Sequence, residues 1–140
     1  MIAAMSELDL LTLARGATAN EVSWFAQVIT INFAMIVGIY YFLNQAKLPL
    51  RLFAFIAYMI GMLVFLGEML IETSLKFRAL QILRGTPHLS PMAQQYVGVN
   101  DSWLGTATSI VFNAAFWILS IGVFYLLFFW NKSAHVAKDV

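Results

Sequence analysis

The amino-acid sequence predicts an all-α membrane protein with three transmembrane helices, the second extended beyond the bilayer, plus a short N-terminal amphipathic helix. Three observations carry that reading. The 140-residue chain is 61% apolar and 11% charged, against about 45–50% and about 25% in an ordinary soluble domain, so it has too little polar surface to cover itself in water. It holds three apolar runs that match the ~20 residues needed to cross ~30 Å of hydrocarbon. The link between the first two runs is only a few polar residues, which makes them an antiparallel hairpin. Residues 1–140 are therefore expected to form a single integral membrane domain.

The N-terminal segment 6–16 reads as the amphipathic helix. Ser6 is placed to cap it, Asp9 lies near its positive end, and Gly16 suits its C-cap. Met5, Leu8 and Leu11 share one side, which would let the helix lie on the membrane surface. The segment has no basic n-region and no long apolar core, so it is not read as a cleaved signal, and the first span is expected to stay as an anchor. Thr18-Ala19-Asn20-Glu21 has the form of a capping box and is expected to start a new helix, the first span, at about 22–43. Trp24 and the pair Tyr40-Tyr41 fit aromatic belts at its two ends.

Asn44-Gln45-Ala46-Lys47-Leu48-Pro49 forms the short link, and Pro49 suits the opening of a helix. The second span, about 52–72, is the one with a carboxylate in its apolar run. Residues 52–67, between Arg51 and Glu68, number only 16, so a full-length span has to include Glu68. No Gly or Pro follows until Gly85, and the helix is expected to run on past the membrane, with Glu72 and Lys76 as an i,i+4 pair. The segment 85–102 is an extramembrane loop, non-helical through residue 100 because of Pro87, Pro91 and two glycines. Its apolar residues Met92, Tyr96, Val97 and Val99 suit packing on the bilayer or a partner. The third span, about 104–130, carries no charge between Asp101 and Lys132.

Polar and small residues mark the faces on which membrane helices pack. Ser23, Gln27, Thr30, Ala34 and Gly38 form one such stripe in the first span. Ala54, Gly61 and Glu68 form one in the second, and Thr106, Ser109, Asn113 and Ser120 one in the third. Counting depth from a common face, Gln27, Thr30, Glu68, Ser109 and Asn113 are expected to form a helix-packing polar cluster around Glu68. Asn32, about 200° around the helix from Thr30, is expected to point away from that centre. With Tyr96 of the second loop, it is the expected contact to a partner chain.

An ionisable group inside a membrane is a functional-site hypothesis by default, so Glu68 supports an alternative in which the chain is a self-associating pore or proton-conducting element of holin-like or channel-like kind. The leading expectation is a non-enzymatic accessory or assembly subunit of a homo-oligomer or larger membrane complex, embedded in the lipid bilayer. No catalytic, cofactor or metal residues are expected. Cysteine is absent, and His88 and His135, the two histidines, fall outside the spans on opposite faces. Net charge of +1 argues against a nucleic-acid surface. The expected location is a bacterial inner membrane. Lys and Arg divide evenly between the two faces, and the position of Lys47 and Arg51 at the membrane edge favours a cytoplasmic first loop and C-terminus.

Overall fold

A computed structural model describes residues 5–130. They form four α-helices: α1 (Glu7–Tyr41), α2 (Leu48–Gly85), α3 (Pro91–Asp101) and α4 (Trp103–Phe128), with a single 3-10 turn, Leu43–Gln45, after α1. Among the described residues there is no strand. Helices α1, α2 and α4 are each long and apolar enough to cross a membrane. The tail 131–140, with Lys132, His135 and Lys138, lies outside the described residues.

The first departure from expectation is in α1. Ser6 does cap it: the Asp9 amide donates to the Ser6 hydroxyl at 3.2 Å, and the Ser6 amide donates to the Asp9 carboxylate at 3.0 Å. The helix then continues for 35 residues through Gly16 without a break, so the separate amphipathic helix and the second helix start at Thr18 are not formed. Thr18 instead donates to the carbonyl of Ala14 at 3.0 Å, a bond within a running helix. A mid-helix glycine costs about 1 kcal/mol relative to Ala. Tertiary packing offsets it, because Leu10, Leu11 and Ala14 on one side of Gly16 are buried against Ala79, Leu83 and Ala93 of α2 and α3.

The cap makes a pH prediction. Hydrogen bonds from the Ser6 side chain and then its backbone hold the Asp9 carboxyl below its ordinary value of 3.8. A depressed native pKa contributes stability that is present above the unfolded pKa and lost as pH falls through the native one. The first turn of α1 is therefore expected to fray only in strong acid, and Ser6→Ala to move the Asp9 titration upward by NMR.

The other correction concerns 85–100, which is not a loop throughout. Ser90 caps α3, accepting from the Ala93 amide at 3.3 Å, and Pro91 occupies its first turn. Proline at that position loses no intrahelical bond and starts a helix as readily as it ends one. His88 takes the left-handed conformation that turns the chain from α2 into α3 (φ 61°). The Glu7 carboxylate fastens the start of α3 to the start of α1, accepting from the Ser90 amide at 3.2 Å and from its hydroxyl.

Two cores result. One joins the spans through Val28 and Ile39 of α1, Tyr58 and Met62 of α2, and Phe116, Val123 and Leu127 of α4. The other joins the first turns of α1, the last turns of α2 and α3. Every buried residue of α4 lies at Phe116 or beyond, and its N-terminal half meets α1 through the edge-on ring pair Phe25–Phe112, 4.4 Å between centroids. At that end Arg51 ties three chain ends together, donating to the carbonyls of Ala46 at 3.0 Å, Leu127 at 3.4 Å and Asn44. A cation there meets the negative ends of the 3-10 turn and α4. Arg51→Leu is expected to lower stability by ~2 kcal/mol, in line with charged hydrogen bonds, as read by denaturation in detergent.

Candidate functional site

The buried polar groups of the membrane core come one from each span. Asn32 of α1, Tyr58 of α2 and Ser120 of α4 are 2%, 4% and 6% exposed, and each falls near the middle of its expected span. The Tyr58 hydroxyl donates to the Asn32 carbonyl oxygen at 2.7 Å. The Asn32 amide nitrogen donates to the Val28 carbonyl at 2.7 Å and meets the Met62 sulfur at 3.4 Å. Ser120 donates to the Phe116 carbonyl of its own helix at 2.9 Å. Among the described residues no buried side-chain polar atom lacks a partner. The bonds from Asn32 to Tyr58 and Met62 fix the register of α1 against α2, which apolar packing alone would leave free to slide.

This placement corrects the expectation for Asn32. It points into the bundle and not toward another chain. An amide in hydrocarbon needs partners, and Tyr58 on the facing helix supplies the proton donor. With that face of α1 turned inward, the stripe of Ser23, Gln27, Thr30 and Ala34 is turned outward, and all four are exposed. The structure does not join Gln27, Thr30, Glu68, Ser109 and Asn113 by hydrogen bonds around Glu68. Thr30 donates to Ala26 at 2.9 Å, Ser109 to Gly105 at 3.2 Å and Asn113 to Ser109 at 3.0 Å, each a carbonyl four residues back on its own helix. Glu68 is half-buried and accepts no hydrogen bond from any described residue.

Ser109 and Asn113 nonetheless share a second feature. They continue the α4 face of Phe116, Ser120, Val123 and Leu127 toward its N-terminal end, where the helices have parted. The gap is a cleft of about 500 Å³ bounded by all four helices, with Ser109, Asn113 and Phe112 on one wall and Val22, Met69 and Phe77 on others.

A polar rim surrounds the cleft. Glu21 of α1 accepts from Lys76 at 2.5 Å and from Thr73 at 2.6 Å. Lys76 thus pairs across helices, and the expected pair with Glu72 is not made; Glu72 accepts from the Asn20 amide at 2.9 Å. A Glu21 side chain only 13% exposed requires a cation, and Lys76 meets that need across the helices. Arg84 is held at the rim by Asp101, to which its Nε donates at 3.2 Å. Tyr96 is half-buried, with its hydroxyl 3.3 Å from that of Thr18, so this expected partner contact is made to α1 of the same chain.

The sequence carried a signal for the triad that depth counting from Glu68 obscured. Asn32, Tyr58 and Ser120 are the polar residues nearest the middle of the three spans, where an unpaired group costs most. Against family models, curated proteins and solved structures, the chain gives no match.

Proposed function

We propose that this chain is a small non-enzymatic integral membrane protein that serves as an assembly or accessory subunit, packing through α1 on a second copy of itself or on a larger membrane complex. The supporting observation is the outward face of α1. Ser23, Gln27, Thr30 and Ala34 are exposed there, and small residues with hydrogen-bonding neighbours are what membrane helices use to contact one another. A lipid-facing Gln27 amide is unfavourable and is relieved when another helix covers it.

The lengths of α1 and α2 support a layout in which both leave the hydrocarbon on the same side. Their 35 and 38 residues measure roughly 52 and 57 Å at ~1.5 Å per residue, against ~30 Å of hydrocarbon. The second core, with α3, then forms a small helical layer at the membrane surface. Lys47 and Arg51 at the opposite edge favour a cytoplasmic first loop and C-terminus in a bacterial inner membrane.

Cysteine is absent from the chain, so single-cysteine variants test the proposal cleanly. Ala34→Cys in native membranes is expected to crosslink to a second copy or a larger protein, while Ile118→Cys on α4 is not. Crosslinking at neither position, with a lone monomer after extraction in mild detergent, would contradict the subunit reading.

A further inference from the structure

We propose that the cleft between α4 and the α1–α2 pair is a binding site for one membrane phospholipid, with its phosphate at the Lys76–Arg84 end and one acyl chain running toward Phe112. The inference is independent of the subunit contact on α1. At about 500 Å³ the cleft falls within the ~300–1,000 Å³ typical of small-molecule sites. The α4 wall from Leu104 to Asn113 spans ten residues, or about 14 Å end to end at ~1.5 Å per residue. Val22, Met69, Phe77, Leu80 and Phe112 give the cleft apolar walls, with Ser109 and Asn113 as polar members of the α4 side, and the apolar part favours hydrocarbon over water.

The hydrogen-bond inventory of the rim selects the headgroup chemistry. The hydroxyls of Thr18, Thr108 and Ser109 donate to the carbonyls of Ala14, Leu104 and Gly105, so none of the three has a proton left for a ligand. Lys76 uses one of its three N–H bonds on Glu21. Asp101 takes the Nε and one Nη of Arg84, and the other Nη meets no acceptor among the described residues. The donors that remain are the two cations and one amide N–H each of Asn100 and Asn113, and together they suit an acceptor-only oxyanion such as phosphate. Glu21 and Asp101 each balance one of these cations, so a phosphate is held by the N–H groups left free and not by a net positive charge. Joining an oxyanion site to an apolar trough defines an amphiphile and not a free ion.

The test is native mass spectrometry of the full chain in detergent, titrated separately with phosphatidylethanolamine, phosphatidylglycerol and inorganic phosphate. One phospholipid per chain is expected to be retained, and inorganic phosphate is not. The double variant Lys76→Gln/Arg84→Gln is expected to weaken lipid retention about tenfold or more, the effect of losing charged hydrogen bonds, while Lys76→Arg retains it. Ser109→Trp fills the cleft without touching either cation and is expected to abolish retention with the helix content unchanged by circular dichroism. That variant decides the matter if the double variant fails to fold. Lipid retention unchanged in Ser109→Trp overturns the site, and inorganic phosphate binding as tightly as lipid overturns the lipid assignment.

Discussion

Replacing Tyr58 by Phe is expected to destabilise the bundle by ~1–2 kcal/mol, the cost of leaving a buried acceptor without its donor, read as a shift in thermal or denaturant unfolding in detergent. The substitution removes one oxygen and no volume of consequence, so the loss reports the hydrogen bond. The Asn32 carbonyl oxygen is left without its donor in a site that is 2% exposed. The magnitude stays modest because interhelical hydrogen bonds in membranes average about 0.6 kcal/mol and reach about 1.7. Asn32→Leu removes the acceptor instead and leaves the buried Tyr58 hydroxyl without its partner. The double variant is therefore expected to be about as stable as the worse single one, giving a coupling of ~1 kcal/mol in a double-mutant cycle. Fully additive losses would show that the two side chains do not interact.

The second large effect is expected at Gly105, where α3 gives way to α4. A Cβ there would collide with the Asn100 carbonyl oxygen and lie 3.0 Å from its carbon and 3.2 Å from its Cα. The obstacle is backbone and cannot rotate aside, so Gly105→Ala must push the two helices apart. Overpacking of this kind costs ~1–3 kcal/mol. Faster hydrogen exchange is expected throughout α3, along with proteolysis between α2 and α4. Gly98→Ala in α3 is the control: nothing lies within 4 Å of its added Cβ. Alanine is the better helix former by about 1 kcal/mol, so that variant is expected to be neutral or stabilising. An unchanged Gly105→Ala protein would mean that the corner is looser than the structure has it.

The three long helices were legible in the sequence because charge-free runs of bilayer length admit few other readings. Their ends were legible only where a cap acted alone. Ser6 and Pro49 were read correctly, while Thr18-Ala19-Asn20-Glu21 was misread because its hydroxyl and carboxylate have partners elsewhere. Glu21 is drawn to Lys76, a residue 55 positions away, and no local pattern discloses that. The same limit explains Pro91, which terminates a helix or starts one according to whether a capping residue such as Ser90 precedes it.

The polar stripes show a further limit. On α4 the stripe lines up with the buried Phe116, Val123 and Leu127, but of its members only Ser120 is buried, and Thr106, Ser109 and Asn113 are exposed. On α1 it identified the outward face. Ser and Thr hydroxyls satisfy themselves on their own helix, as Thr30 does with Ala26, so they do not have to point inward. An amide has more hydrogen-bonding groups than one backbone carbonyl can meet, so Asn32 was the stronger indicator of the interior. Its depth, matched by Tyr58 and Ser120, carried more information than the spacing of small residues.

The orientation of α1 underlies both the triad and the proposed subunit contact, and one crosslinking measurement tests it. The side chains of Asn32 and Met62 are 3.4 Å apart at their nearest atoms. In the otherwise cysteine-free chain, the pair Asn32→Cys/Met62→Cys is expected to be bridged within the chain by a short thiol-specific crosslinker in membranes. Ala34→Cys/Met62→Cys is expected to form no such bridge within the chain. The reverse outcome, with Ala34 joined to Met62 and Asn32 free, would turn α1 around and contradict the account.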